Sequence, residues 1–285
     1  MISIVMPTHQ KVPLMQVTLN SVFSQSLNDF EFIVVDASKD GYFEEEFKTL
    51  VETYPILKRY ESRFSNMRII KPEKNKNFPG AMKLEGFKHC TQDNDFVIFL
   101  DHDDFLGNDL LKSIKLAHIQ YPYTEMVSTK YTSMIYDSGK IILNTKTYAG
   151  GTPCESSNII YINDIYIKFD NAKQDIYKNE HPFKATLHPK IMLKSVIRDK
   201  RFSFIEDTER LDDICWPVMS HSLIETYIPI IGYVYVGYMG NHHSNSCIPT
   251  RFISETSKKY TKYCADYEKM LSEIGYVKPK NTCIL

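Results

Sequence analysis

The sequence predicts an α/β protein with a doubly wound, mostly parallel sheet, an antiparallel extension and C-terminal helices. Apolar runs of strand length alternate with helically spaced segments over the first 120 residues, a pattern typical of a parallel sheet covered by helices. Several of these runs end abruptly in polar residues, as buried strands do at the carboxyl edge of such a sheet. After residue 121, β-rich stretches follow one another, which favours antiparallel additions.

Four apolar runs in the first half predict strands at residues 2–6, 30–35, 67–70 and 95–100. The segments between them predict helices at residues 12–23, 43–54 and 81–90, and a further helix is predicted at residues 105–119. Val12, Met15, Leu19 and Phe23 illustrate the helical pattern, because residues three or four positions apart share one face of a helix.

The second half is predicted to extend this sheet. Residues 125–136 and 141–147 predict strands, and so do residues 224–239, where Glu225, Pro229 and two glycines argue against a membrane-spanning helix. Residues 251–275 carry Lys, Tyr and Glu at helical spacing and predict a surface helix. The chain is therefore divided into residues 1–120, residues 121–250 of the same domain, and a helical tail at residues 251–285.

The composition excludes several classes of protein. The chain has 285 residues, 43% hydrophobic and 24% charged, with a formal net charge of −1, so neither disorder nor a nucleic-acid partner is expected. Its six cysteines form no CxxC pair, which argues against zinc and favours reduced thiols. Without a signal peptide or an apolar run of about 18 residues, a cytoplasmic location is expected, with the inner face of the membrane as an alternative.

The strongest functional signal is Asp101-His102-Asp103-Asp104, which directly follows the apolar run at residues 95–100. Three carboxylates in four positions repel one another unless a cation lies among them. Carboxylates suit Mg²⁺ or Mn²⁺, which bind one or two of them together with water and substrate phosphates. The pattern predicts a metal-bound nucleotide diphosphate. The alternative, in which Asp103 or Asp104 caps the next helix, explains one aspartate and not three.

Other polar residues are predicted to lie at the same edge, because the carboxyl ends of parallel strands converge there. Pro7 and Thr8 close the first strand, and Asp36 closes the second. Asn77 lies in a tight turn before a helix whose N–H groups can receive a phosphate, and Lys83 adds positive charge. Two alternatives stay open: Asp36 as the start of an Asx turn, and the Asn77 segment as a solvated basic turn.

As a set, these motifs resemble family 2 glycosyltransferases of the GT-A fold. The resemblance rests on ordered motifs at residues 3–8 (Ser-Ile-Val-Met-Pro-Thr), 19–26, 30–41, 77–86 and 99–104. It implies an inverting transfer from a nucleotide-sugar donor, with Mn²⁺ or Mg²⁺ as the cofactor. Residues 1–120 would then bind the nucleotide-sugar, and residues 121–250 the acceptor.

The resemblance also implies roles for single residues. Thr8 and Asp36 would contact the base and ribose of the nucleotide. Asp101 would approach the ribose or a metal-bound water, and Asp103 would coordinate the metal that bridges the diphosphate. Two departures from the family pattern leave the identity of the nucleobase open. His9-Gln10 stands where Tyr-Asn is usual, and Lys83 stands where Arg is usual.

Family members also carry an acidic pair after the later strands, whose second acid acts as the general base on the acceptor. Asp213 is favoured here, because Ile-Cys-Trp follows it as in the family, and Asp207 is the second choice. The alternative is that both acidic pairs, Glu206-Asp207 and Asp212-Asp213, belong to a solvated helix start. His243 would complete the metal shell or contact the diphosphate, although a hydrogen-bonded loop histidine is slightly favoured.

The sequence thus predicts a metal-dependent hexosyltransferase that moves a sugar, with UDP as the expected nucleotide, to a hydroxyl of a glycan or lipid-linked glycan in surface polysaccharide or lipopolysaccharide synthesis. Two alternatives are a sugar nucleotidyltransferase, disfavoured by the lack of a glycine-rich loop after the first strand, and an inactive glycan-binding protein. Peripheral membrane contact through Lys258-Lys259 competes with a solvated helix face, and a homodimer is left open.

Overall fold

The computed structural model describes residues 1–10, 15–72, 78–91, 95–137, 140–149, 152–155, 160–161, 166–167, 190–199, 226–238 and 282–283. The strands are β1 (Ile2–Thr8), β2 (Phe30–Asp36), β3 (Met67–Ile70), β4 (Phe96–Phe99), β5 (Phe105–Leu106), β6 (Met126–Asp137), β7 (Lys140–Ala149), β8 (Thr152–Glu155), β9 (Ile160–Tyr161), β10 (Tyr166–Ile167), β11 (Lys190–Leu193), β12 (Thr226–Tyr238) and β13 (Thr282–Cys283). The helices are α1 (Met15–Phe23), α2 (Tyr42–Thr53), α3 (Pro55–Lys58), a 3₁₀ helix (Glu61–Asn66), α4 (Pro79–Lys88), α5 (Leu110–Gln120) and α6 (Lys194–Asp199).

The predicted fold class is confirmed. Strands β3, β2, β1 and β4 are parallel neighbours in that order. The sheet continues through β11, which is antiparallel to β4 and to β6. The pairs β6–β7 and β7–β8 are antiparallel, as expected of the extension, whereas β12 runs parallel to β6. Strands β11 and β12, from the second half of the chain, thus complete a sheet that the first half begins.

Alternation along the central strands separates two apolar layers, because successive side chains of a strand point to opposite faces. One face carries Ile2, Ile4 and Met6 of β1 and packs in a core with residues of α1, α2, α3 and α5. The other face packs against α4. A Cβ on Gly86 would lie 2.3 Å from Val5 Cγ1, so this helix approaches the sheet too closely for any larger residue.

One predicted element was wrong in its first turns. The helix expected from residue 105 begins at Leu110, because Phe105 and Leu106 pair with Val236 and Tyr235 of β12 as a short strand. The bounds of β3 agree with the prediction, and other described boundaries differ by at most two residues. The predicted start of α1 at residue 12 and the predicted tail helix at residues 251–275 lie outside the described residues. In the part of the chain that is described, no helix combines the length and hydrophobicity required to cross a membrane.

Candidate functional site

The carboxyl ends of β1, β2 and β4 meet at one edge of the sheet. Thr8 pairs with Asp36 at the end of the β1–β2 ladder. On the other side of β1, the backbone N–H of Leu100 donates to the carbonyl of Val5 at 2.9 Å. Residues 101–104, called the acidic loop below, therefore leave the sheet beside the end of β1. The predicted convergence of Thr8, Asp36 and the acids at this edge is confirmed.

A buried lysine side chain lies beside the first acid of the acidic loop. Lys83 Nζ on α4 lies 3.1 Å from Asp101 Oδ1; the lysine is 1% exposed and the aspartate 32%. Part of the repulsion within the loop is therefore relieved by the protein itself. Lys83, predicted to face phosphate, lies behind Asp101 at this edge, and its contact with a nucleotide stays a prediction.

The capping alternative for these acids does not describe the structure. Helix α5 begins at Leu110 with Asp109 at its N-cap position, five residues beyond Asp104. Asp104 is buried, and its backbone N–H donates to the Asp101 carbonyl at 3.0 Å, closing a tight turn. Asp103 stays partly exposed. The acidic loop thus presents Asp101 and Asp103 to solvent.

His102 connects the acidic loop to the end of β1. Its Nδ1 lies 3.1 Å from Thr8 Oγ1, and its carbonyl accepts a hydrogen bond from Thr18 Oγ1 at 3.2 Å. Burial lowers the pKa of His102 to about 4; nearby Asp101 opposes this shift, and Lys83 adds to it. The imidazole is therefore neutral at neutral pH. The ring of His9 lies 5.7 Å from the ring of His102. The pKa of His9 is lowered, first by burial and then by the neighbouring His102, while Asp103 acts in the opposite direction.

Asp36 is held by the backbone that follows it. Ser38 N–H donates to Oδ1 at 3.0 Å, which is the Asx turn left open by the sequence, and Phe43 N–H donates to Oδ2 at 3.3 Å. The carboxylate is 1% exposed. It can accept further hydrogen bonds, because two oxygens offer about four lone-pair sites. Its contact with a nucleotide stays a prediction.

The loop between β2 and α2 requires a glycine. Gly41 has φ +66°, in the left-handed region, and a Cβ there would lie 2.8 Å from Lys71 Nζ and 4.0 Å from Asp36 Oδ2. Lys71 directly follows β3, so the third parallel strand also delivers a polar group to this edge.

Three buried polar side chains, two on α1 and one two residues after its end, hold the acidic loop and the residues that follow it. Besides the bond from Thr18, Ser21 Oγ accepts from the Leu106 N–H at 3.1 Å. Gln25 donates to the Gly107 carbonyl at 2.7 Å and accepts from the Leu111 N–H at 3.1 Å. No role was predicted for these side chains from the sequence. The available signal was their spacing of i, i+3 and i+7, which places polar residues on one face of a helical turn pattern.

The site fits a hard divalent cation that takes most of its ligands from elsewhere. Within the described ranges, no group of three or more His, Cys, Asp or Glu residues is placed to hold a metal. Asp103 and Asp101 are the partly exposed acids, and Mg²⁺ or Mn²⁺ completes such a pair with water and substrate phosphate oxygens. A closed site made only of protein groups is not needed for this chemistry.

Four predicted site residues lie outside the described residues: Asn77, Asp207, Asp213 and His243. Pro7 is described, is buried within β1 and pairs with Val35. The positions of the general base, Asp213 or Asp207, and of His243 as a metal ligand therefore stay predictions.

Comparisons with known proteins match this architecture. Residues 3–148 match the model of glycosyl transferase family 2. The chain is 32% identical over 111 residues to the succinoglycan biosynthesis protein ExoW of Rhizobium meliloti, covering 39% of this chain and 31% of the relative. S. aureus TarS 1-349 in complex with UDP-GlcNAc superposes with a TM-score of 0.53 at 17% identity, covering 87% of this chain and 61% of that one. GalNAc-T7 with UDP, GalNAc and Mn²⁺ gives a TM-score of 0.51 at 11% identity, covering 84% and 43%.

The structural similarities concern the fold, because the identities are low. The chain spans 31% of the length of the curated relative and 36% of a longer TarS chain. The family match is broader, since it covers more than half of this chain and contains β1 to β4 with the acidic loop. The chain therefore belongs to glycosyl transferase family 2.

Proposed function

We propose that this protein transfers a hexose from a UDP-sugar to a hydroxyl of a glycan or lipid-linked glycan, with inversion and with Mn²⁺ or Mg²⁺ as cofactor. The observation that carries the proposal is the meeting of Thr8, Asp36 and the acidic loop at the carboxyl edge of three parallel strands. Such an edge is where open α/β sheets bind nucleotides. Family membership adds the reaction class.

The donor assignment draws on two structural neighbours and one relative. TarS is described with UDP-GlcNAc, and GalNAc-T7 with UDP, GalNAc and Mn²⁺. ExoW is described as a succinoglycan biosynthesis protein, which favours polysaccharide synthesis as the setting. The nucleoside would lie against Thr8 and Asp36, and the diphosphate against a cation held at Asp103 beside Asp101, with Asn77 and Lys83 as further predicted contacts.

In this proposal the chain's own groups hold and orient the donor. Asp103 holds the cation, which when bound offsets the charge of the departing diphosphate. Asp101 lies 3.1 Å from Lys83 Nζ and holds the start of the loop beside α4. Asp213, or else Asp207, accepts the proton of the acceptor hydroxyl, and His243 contacts the diphosphate or the cation.

A donor screen tests the proposal. Wild-type protein is incubated with a panel of nucleotide-sugars, and release of nucleoside diphosphate is measured with Mn²⁺, with Mg²⁺ and with EDTA. Release from a UDP-sugar that depends on the cation is expected. Pyrophosphate release would indicate the nucleotidyltransferase, and glycan binding without turnover would indicate the inactive module.

Single substitutions assign the roles. Asp103→Asn is expected to abolish transfer and weaken donor binding, because it removes the carboxylate that holds the cation. Asp213→Asn is expected to abolish transfer while donor binding is retained. Asp109→Asn is the matched control, because Asp109 makes no side-chain capping bond at the start of α5. Near-normal turnover of either site variant would contradict the role given to it.

A further inference from the structure

A chain of hydrogen bonds runs across the proposed donor site and connects all three loops of the crevice. It starts at His102 in the acidic loop, passes through Thr8 at the end of β1 and Tyr42 at the start of α2, and ends at the carbonyl of Gln10. The distances are 3.1 Å from His102 Nδ1 to Thr8 Oγ1 and 2.6 Å from Thr8 Oγ1 to the Tyr42 hydroxyl. These contacts span 94 and 34 residues of sequence, so tertiary structure alone brings the groups together.

The number of protons available on each group determines which atom donates in each of these hydrogen bonds. The carbonyl of Gln10 can only accept, so the single proton of the Tyr42 hydroxyl is donated to it. The contact between Thr8 and Tyr42 must then carry the threonine proton. Because that proton is used, the contact between Thr8 and His102 must carry a proton on the histidine nitrogen. His102 Nδ1 therefore carries a proton and donates it to the Thr8 hydroxyl.

We propose that His102 is a positioning residue whose Nδ1–H orients the Thr8 hydroxyl and so holds the nucleoside side of the crevice in register with the acidic loop. The ligand concerned is a nucleoside diphosphate, and this part of the inference rests on the proposed function. Without the Nδ1–H donor, Thr8 is no longer committed to Tyr42, and the loop after β1 loses its link to the acids.

Two substitutions separate the ring nitrogens of His102. The amide nitrogen of asparagine is as many bonds from Cα as Nδ1, whereas that of glutamine matches Nε2. His102→Asn therefore keeps a donor near Thr8, and His102→Gln moves it away. For His102→Gln we expect Kd for UDP with Mn²⁺ and KM for the donor to rise about fivefold to tenfold, the size of one hydrogen bond. Its kcat should change less than about twofold, because the Thr8 contact acts equally in ground and transition states.

His102→Asn is expected to recover most of the lost affinity, which a role in packing alone would not predict. His9→Asn and His9→Gln form the control pair, because the ring of His9 lies 5.7 Å away and outside the hydrogen-bonded chain. These two variants should have equal Kd values. Equal Kd values for the two His102 variants would overturn the inference.

Nitrogen NMR of labelled wild-type protein tests the tautomer without any ligand. Protonation of His102 at Nδ1 is expected, and an Nδ1 that carries no proton would overturn the inference. If the tautomer is as expected but the wild type neither binds a nucleoside diphosphate nor releases one from any donor, the proposed function fails, and the role of His102 toward a ligand fails with it.

Discussion

The two ends of strands β1 and β2 each lie beside a buried lysine, and the surroundings of the two lysines differ. At the amino end, Lys194 is 0% exposed; its Nζ donates to Ser3 Oγ at 2.9 Å and to Thr91 Oγ1 at 3.3 Å. The acid that pairs with this lysine is Glu31, which is 6% exposed and whose Oε1 lies 3.9 Å from Lys194 Nζ. At the carboxyl end, Lys83 is 1% exposed, but its partner Asp101 is 32% exposed.

The difference lies in exposure, because the acid of the Lys194–Glu31 pair is enclosed by protein and the acid of the Lys83–Asp101 pair is partly open to solvent. The carboxylate of Glu31 is enclosed and also accepts from Arg68 at 2.6 Å and from Thr91 N–H at 2.8 Å, so its bonding is completed by the protein. Asp101 keeps a third of its surface in solvent beside Asp103. Asp101 at the carboxyl end is therefore accessible to solvent, whereas Glu31 at the amino end is enclosed.

The largest effect on stability is expected from Lys194→Met. Removing one member of a buried, hydrogen-bonded charge network should lower the free energy of unfolding by about 3–5 kcal/mol, because Glu31 loses a buried cation. Urea denaturation measures this. Lys48→Met, which breaks an exposed pair with Glu44, is the control and should change stability by less than about 1 kcal/mol. A loss for Lys194→Met as small as that of the control would remove the contrast between the two ends.

Lys83→Met should be less destabilising and more harmful to activity. Asp101 is partly exposed and water can solvate it, so we expect a loss of about 1–3 kcal/mol in the free energy of unfolding. Donor hydrolysis should fall at least about tenfold, because Asp101 loses the charge that opposes its repulsion by Asp103. Urea denaturation and the donor assay on Lys83→Met and Lys194→Met show which lysine acts mainly on stability and which on activity. Equal activity losses at matched fractions of folded protein would contradict the assignment.

Gln25→Leu tests how Gln25, two residues after α1, supports the chain that follows the acidic loop. The substitution removes the bonds to the Gly107 carbonyl and the Leu111 N–H, leaving buried backbone groups without those partners, and should cost about 1–3 kcal/mol in the free energy of unfolding. Gln16→Leu, at a half-buried position of α1, is the control. If Gln25→Leu is no less stable than this control, Gln25 does not support the chain after the acidic loop in the way described.

The smallest effect is a dependence of stability on pH at the closed end. Burial alone would raise the pKa of Glu31, but hydrogen bonds from Ser3 and Thr91 outweigh it, and the pKa lies below its ordinary 4.5. The folded state thus favours the carboxylate, so its stabilisation is present above pH 4.5 and is lost as pH falls through the lower pKa of the folded protein. Thermal unfolding of wild type and Glu31→Gln across this range should converge toward acid, whereas the exposed control Glu52→Gln should follow the wild type. Parallel curves for wild type and Glu31→Gln would contradict the assignment.

Prediction from sequence succeeded where local pattern carries the information. The bounds of β3 agree with the predicted strand, and β1, β2 and β4 differ by one or two residues, because an apolar run of strand length is itself the signal for a buried parallel strand. The run of acids after β4 was sufficient to predict which edge of the sheet carries these acids. The start of α5 was missed because Phe105 and Leu106 pair with a strand about 130 residues later, and no local pattern reports that contact.

The sequence by itself determined the order of strands and helices, the fold class and the edge of the sheet where the acids lie, since periodicity and strand ends are local properties. Tertiary structure alone decided that Lys83 faces Asp101, that His102 meets Thr8, and that Lys194 closes the opposite end against Glu31. The physical reason is distance along the chain: a charge or a proton acts over a few ångströms, and only folding brings residues separated by 18 to 163 positions to within that range.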